Sequence, residues 1–300
     1  MKVLISLLNY NNFKSTKKCV DSLINHIREG EEIFIIDNNS PDNSFIKLKD
    51  TFKTIKVVKS KINGGYASGH KIAVDYAINN NFELIWILNN DLIVRNNTLS
   101  ELCKGYLKHG LALYGSISLK SENPDIINFG GGLNDDISKP FNYNSFENYS
   151  LENYLKVTKL RPVQSIEGSS FLIPTEIIIK HGFMREDFFM YGEETDYCYR
   201  LKKLNINSYI VPKSIIVHKG GEGLRNNKGL ESYYRRRNML YFEEEHYNIS
   251  IIKNINKRVG VFNFIKYFIK YLIYKLEKDT LYYLNIAFLH CIFRIKGKYK

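Results

Sequence analysis

At 300 residues and 35.1 kDa, with 44% hydrophobic and 25% charged residues, the chain has the size and composition of a folded globular protein of one large α/β domain plus an appendage, or of two modest domains. Only 6 Pro and 19 Gly exclude collagen-like and low-complexity classes. The formal charge of +12 points to an anionic partner, but Asn248–Lys300 holds eleven Lys and Arg against Glu277 and Asp279, leaving only +3 for the first 247 residues, which argues against a nucleic-acid coat protein.

Val3–Leu8 is a short apolar run ended by Asn9-Tyr10-Asn11-Asn12; it predicts a strand and is too short for a signal-peptide core. Val20, Leu23, Ile24 and Ile27 fall at the spacing of a helix stripe, and Ile33–Ile36 is a second strand ending at Asp37, completing a βαβ unit. Ile55–Val58 predicts a third strand, Ala73, Val74, Ala77 and Ile78 a second helix, and Leu84–Leu88 a strand ending in Asn89-Asn90-Asp91. Strands alternating with helices predict a mainly parallel sheet covered on both faces. Glu193-Glu194-Thr195-Asp196 precedes a helix on which Tyr197, Leu201 and Leu204 share a face, and Ile215–Val217 leads into His218. In the tail, Phe262, Ile265, Phe268, Ile269, Leu272, Ile273 and Leu276 form an apolar stripe, with Lys266, Lys270 and Lys278 off it. The longest uncharged run, Thr280 to Phe293, has 14 residues, short of the roughly 20 that span a bilayer. Cys19, Cys103, Cys198 and Cys291 are isolated, so reduced, buried thiols are expected rather than a zinc ribbon or disulfide framework.

In parallel sheets, ligands bind beyond the carboxyl ends of the strands. Four polar clusters occupy those ends here: Asn9-Tyr10-Asn11, Asp37-Asn38-Asn39-Ser40, Asn63-Gly64-Gly65 and Asn89-Asn90-Asp91. Any one is ordinary turn chemistry, but four in register indicate a site. Asn63-Gly64-Gly65 lacks the spacing of both a dinucleotide loop and a P-loop, which disfavours NAD binding and ATP hydrolysis.

Together with Gly168-Ser169-Ser170-Phe171-Leu172-Ile173, Phe188-Phe189-Met190-Tyr191-Gly192-Glu193-Glu194-Thr195-Asp196, His218 and Tyr233-Tyr234-Arg235-Arg236-Arg237-Asn238, these clusters give the chain a resemblance to family 2 glycosyltransferases of the GT-A fold, of the type similar to bacterial rhamnosyl- and galactofuranosyltransferases of surface polysaccharide synthesis. The resemblance implies a Rossmann-like, mainly parallel sheet flanked by helices in residues 1–245, with a nucleotide-sugar half (1–120), an acceptor and catalytic half (121–245), and a basic amphipathic helical extension (246–300). It implies that Asp37 binds the base, that Asn9, Asn39, Asn63, Gly64, Asn89 and Asn90 shape the nucleotide-sugar pocket, and that Arg237 reaches the donor diphosphate. Asp91 ends the DxD-like motif and, with His218, would hold Mn²⁺ or Mg²⁺; Asn89 and Asn90 stand where many relatives carry a further acid. Glu194 occupies the position of the base, usually Asp in the family, with Glu193 and Asp196 as substitutes.

The expected reaction is inverting transfer from a nucleoside-diphosphate sugar to a hydroxyl of a saccharide acceptor, lipid-linked if the tail rests on the inner face of the cytoplasmic membrane. Alternatives for the tail stripe are the catalytic domain or a second copy in a homodimer. Two competing functions are a sugar-nucleotide-binding protein without turnover, which the Asn89-Asn90 and Glu194 departures leave open, and a basic nucleic-acid-binding protein, supported only by charge and by the aromatic residues of the tail. The irregular stretch Asn123–Arg161 is where acceptor specificity is expected.

Overall fold

The computed structural model describes residues 1–132, 146–157, 160–219, 227–258, 260, 262–263, 265–266, 269 and 280–299. The chain divides into two compact units: Met1–Arg185 with Glu194–Gly220, and Glu186–Glu193 with Gly221–Lys300.

The first unit is built on one sheet, whose strands are β1 (Val3–Asn9), β2 (Glu31–Asp37), β3 (Lys56–Lys59), β4 (Leu84–Asn89), β5 (Leu92–Val94), β6 (Leu113–Lys120), β7 (Ile127–Phe129), β8 (Arg161–Val163), β9 (Ser170–Pro174) and β10 (Ser208–His218). The order is β3-β2-β1-β4-β9-β6-β10-β5, with β7 on β6 and β8 on β10. Strands β1 to β4 run parallel, β9 lies antiparallel between β4 and β6, and β10 is parallel to β6, so the expected mainly parallel sheet is present, with β9 reversed at its centre and the short β5, β7 and β8 antiparallel to their neighbours. Helices α1 (Phe13–Ile24), α2 (Ser44–Thr51), α3 (Tyr66–Asn79), α4 (Thr98–His109), α5 (Leu151–Val157), α6 (Thr175–His181) and α7 (Glu193–Lys203) follow in chain order.

Alternation along β1 explains why its whole run is apolar. Leu4 packs with Phe34, Ile36, Ala73, Val74 and Ala77 in one core, while Val3, Ile5 and Leu7 pack with Val20, Leu23, Trp86 and Leu102 in the other. Asn12 caps α1, accepting from Ser15 N at 3.2 Å, and the helix buries Thr16, Cys19, Val20 and Leu23. The stripe therefore sits one turn earlier than the apolar spacing indicated: Ile24 is exposed and Ile27 lies beyond the helix end. On α7, Tyr197 and Leu201 are buried as expected, but Leu204 follows the last turn and is exposed. All four cysteines are buried free thiols.

A line of buried polar groups crosses this sheet. Trp86 Nε1 donates to Ser170 Oγ (3.0 Å), Ser170 Oγ meets Ser116 Oγ (2.8 Å), Ser116 Oγ meets Ser214 Oγ (2.8 Å), and Ser214 Oγ donates to the Thr98 carbonyl at the start of α4 (3.0 Å).

The second unit contains α8 (Lys228–Tyr247), α9 (Ile251–Arg258) and, as the last helix described, α10 (Thr280–Ile292). Tyr233 and Tyr234 of α8 pack with Tyr282, Tyr283 and Ala287 of α10 and with Phe189. The uncharged run from Thr280 thus buries its face on α8 rather than presenting it to a lipid surface. The position 245 at which the resemblance ends falls inside α8, whose inner face belongs to this unit, and the excess of positive charge begins after that helix. Of the tail stripe, Phe262, Ile265 and Ile269 are exposed; Phe268, Leu272, Ile273 and Leu276, with Lys270 and Lys278, lie outside the described residues.

Candidate functional site

The ends of β1, β2 and β4 and the loop after β3 converge through side-chain amides. Asn9 Nδ2 donates to Asp37 Oδ2 (2.8 Å), and Asn9 Oδ1 accepts from Thr16 Oγ1 (2.7 Å), which in turn accepts from Asn90 Nδ2 (2.8 Å). Asn38 Nδ2 donates to Asn63 Oδ1 (3.1 Å) and to the Gly65 carbonyl (3.0 Å). Gly65, at φ 91°, forms the turn into α3 that a side chain would strain. Four of the expected clusters are therefore one structure, and Thr16, a β-branched position inside a helix, is the member that sequence reasoning missed.

Two of these residues are drawn inward. The Asp37 carboxylate has no exposed surface and accepts from Ser40 N (2.8 Å), Ser40 Oγ (2.7 Å) and Asn9, so it is the hub that fixes the loop. Asn90 is turned toward Thr16 and ties the DxD-like turn to α1. Asn39, exposed at φ 59°, and the half-buried Asn63, Gly64, Asn89 and Asn90 are among the positions that keep open surface at these strand ends.

His218, at the end of β10, lies between two carboxylates. Its Nε2 is 3.2 Å from Asp91 Oδ1 and its Nδ1 is 2.9 Å from Glu167 Oε1. Burial alone would lower the imidazole pKa, but Glu167 and Asp91 outweigh it and push it up to about 10. Burial likewise opposes ionisation of Glu167, yet His218, Ser118 and Ser169 hold its carboxyl below the usual value. Loss of the Nε2 proton would leave a lone pair beside Asp91 Oδ1, a donor set that fits a divalent cation. Adjacent ligands of an octahedral ion, each about 2.1 Å from it, stand about 3 Å apart, which is the Asp91–His218 separation, and a carboxylate on the far ring nitrogen is the usual way such a histidine is oriented. Glu167 had no sequence signal: it stands alone in a loop, 51 residues from His218.

The Glu167–Ser169 loop is also where other parts meet. The Gly168 carbonyl accepts from Tyr66 Oη at the start of α3, and the Ser169 carbonyl accepts from Asn89 N at 2.8 Å. A methyl group on Gly168 would stand 3.5 Å from Glu194 Cγ, so Glu194 borders this loop and keeps part of its surface open. The neighbouring acids differ. Glu193 is buried, and Asp196, 1% exposed, is held by Arg200 Nε (2.8 Å) and Arg185 Nη1 (3.5 Å), which makes it an anchor of α7 and not a substitute base.

In the second unit, the three consecutive arginines diverge. Arg235 pairs with Glu231 (2.8 Å) and stacks over Tyr191, Arg236 lies over Phe288, and Arg237 points inward. Fully buried, Arg237 donates to the carbonyls of Phe188 (2.6 Å) and Gly297 (2.6 Å), to Tyr233 Oη (3.2 Å) and to Asn238 Oδ1 (3.0 Å). Its donors are thus engaged inside the second unit, with no surface left for the diphosphate that the motif suggested.

The model of the family described as glycosyl transferase family 2 matches residues 5–158, just over half of the chain. The low-salt glycan biosynthesis hexosyltransferase Agl10 of Haloferax volcanii is 30% identical over 199 residues, which is 65% of this chain and 61% of that protein, so the match spans about three fifths of the relative's length. The mannosyltransferase PcManGT of Pyrobaculum calidifontis, solved with GDP-Man and Mn²⁺, superposes with a TM-score of 0.60 at 9% identity, covering 98% of this chain and 87% of that one. GalNAc-T7, solved with UDP, GalNAc and Mn²⁺, gives 0.60 at 18% identity, covering 86% of this chain and 56% of that one. These likenesses establish the GT-A fold. With that fold, and a family model that matches from β1 to the end of α5, the chain belongs to glycosyl transferase family 2.

Proposed function

We propose that the chain is an inverting glycosyltransferase that moves a sugar from a nucleoside diphosphate to a hydroxyl of a saccharide acceptor. The observation that carries this reading is the Asp91–His218 pair backed by Glu167, set at the strand ends beside a loop that Glu194 also borders. Asn39, Asn63, Gly64 and Asn89 would line the nucleotide-sugar pocket over the network that Asn9 and Asp37 hold rigid. Asp91 and His218 would hold a divalent cation, Mn²⁺ or Mg²⁺, which when bound neutralises charge on the leaving diphosphate. Glu194 takes the proton of the acceptor hydroxyl as that oxygen attacks the anomeric carbon from the face opposite the diphosphate. The carbon–oxygen bond to the diphosphate breaks with its electron pair, and the configuration inverts. General-base assistance of this kind contributes about 10²- to 10⁴-fold, the loss expected for Glu194→Gln.

The exposed Phe262, Ile265 and Ile269 beside a basic tail support a lipid-linked acceptor met at an anionic membrane face, as in surface polysaccharide assembly. No helix among the described residues is long and apolar enough to cross a membrane.

Thermal shift against sugar nucleotides with and without Mn²⁺, on the native chain and Asp91→Ala, tests the core of the proposal. A melting temperature raised by one sugar nucleotide only with Mn²⁺, and not in Asp91→Ala, is the expected result. No response to any sugar nucleotide would overturn it.

A further inference from the structure

The turn that precedes the candidate base has an unusual backbone. Phe189 (φ 66°), Tyr191 (φ 68°) and Gly192 (φ 92°) all lie in the left-handed region, which bulky aromatic residues rarely adopt. Such a conformation persists only when its surroundings impose it, and such positions concentrate where geometry serves function. The imposing groups are two buried side chains of α8. Asn238 Nδ2 reaches three carbonyls of the turn, those of Phe188 (3.1 Å), Met190 (2.8 Å) and Tyr191 (2.7 Å). Arg237 Nη2 donates to the Phe188 carbonyl (2.6 Å), and Arg237 Nε donates to Asn238 Oδ1 (3.0 Å), so the amide can present only its NH₂ to the turn. Phe189 stacks on Tyr234 with ring centroids 5.2 Å apart, and Gly192 has the Phe188 ring and Asn238 Cβ within 4 Å of where a side chain would begin.

We infer that Asn238 and Arg237 are positioning residues for catalysis: they hold by its carbonyls the 188–192 turn, the stretch of chain that ends two residues ahead of Glu194. The inference rests on the proposed role of Glu194. The chemistry of the clamp is specific. Converging carbonyls need donors without acceptors among them, which an asparagine amide oriented by a guanidinium supplies, and an aspartate of the same shape would repel them. Misplacing a reacting group by about 1 Å costs on the order of 10²-fold in rate, so a loosened turn should act on turnover and leave ground-state binding intact.

The test compares wild type, Asn238→Ala, Asn238→Ser and Arg237→Lys, each with all 300 residues, by two readouts. Hydrogen exchange of the 188–193 amides is followed without any donor. Nucleoside diphosphate release is followed with GDP-mannose, UDP-GalNAc and UDP-glucose in Mn²⁺. Asn238→Ala is expected to exchange these amides at least tenfold faster while the Leu84–Asn89 strand stays protected. It should lose about 10²-fold in kcat with KM for the donor within threefold of wild type. Arg237→Lys, which keeps a buried donor but not the fork, is expected between the two, and Asn238→Ser, with one short donor, should recover part of kcat. Unchanged exchange, or loosened amides with unchanged kcat, overturns the inference. A KM that rises in step with the fall in kcat, or loss of protection throughout the chain, also overturns it, because the two residues would then be holding the fold alone. If wild type releases nothing from any of the three donors, the exchange readout still decides whether α8 clamps the turn, and the failure belongs to the proposed function.

Discussion

Single residues divide into those whose place could be read from their type and those whose place depends on a distant partner. That Asn9, Asn63 and Asp91 lie at neighbouring strand ends was legible because amides and acids there have few other reasons to recur in register. Glu167 was not, since its meaning comes only from His218 Nδ1, 2.9 Å away across 51 residues. Replacing it tests that meaning: Glu167→Gln is expected to weaken Mn²⁺ affinity about 10- to 100-fold by isothermal titration in the presence of a nucleoside diphosphate, with the fold retained. His70 makes a separate prediction. It is fully buried, with Nδ1 at 2.7 Å from Ser6 Oγ and the Tyr66 ring edge-on, and burial lowers its pKa from 6.5 to about 3. Protonation is thus disfavoured in the folded state, so the stability it contributes is complete above pH 6.5 and is lost as the pH falls below it. The slope from this group is about 1.4 kcal/mol per pH unit between roughly pH 6 and 4. Urea unfolding of wild type and His70→Asn across that range should show a shallower dependence in the variant.

Elements were read correctly where periodicity was unbroken. β1, β2 and β4 follow from apolar runs, and α3 buries the expected Ala73, Val74 and Ala77. The register of α1 was misplaced because its stripe begins with Thr16 and Cys19, which hydropathy underrates, while the apolar Ile24 faces solvent. Antiparallel β9 could not be foreseen from its composition, since a strand buried on both faces reads the same in either direction. The arginine run was opaque for a related reason: three adjacent identical residues carry no period, and only packing selects Arg237 as the inward one. Two element-scale predictions follow. Asn227 caps α8 by accepting from Leu230 N at 2.9 Å, so Asn227→Ala should lower stability by about 1 kcal/mol in chemical denaturation. Ser116→Ala, which removes a buried hydroxyl bonded to both Ser170 and Ser214, should cost about 1–3 kcal/mol by the same measurement.

At the scale of the whole molecule, charge distribution was the most legible property. The basic excess begins after Asn248, at the end of α8, whereas α8 itself packs its tyrosines with α10 and with the segment that holds Phe189. Vesicle flotation measures what the charge is for. The intact chain should float with vesicles containing anionic lipid in low salt, and release should rise with salt, since each Lys or Arg near such a surface adds about 1 kcal/mol that salt screens. Within the first unit, the polar line from Trp86 to Thr98 has its own large-scale consequence. An indole N–H can only donate, a carbonyl can only accept, and each of the three intervening serines has one hydrogen, so Ser170 must give to Ser116 and Ser116 to Ser214. Every hydroxyl then points the same way, and the sheet interior carries a one-way file of protons whose sense is set at the Thr98 carbonyl and cannot reverse while Ser214 donates there.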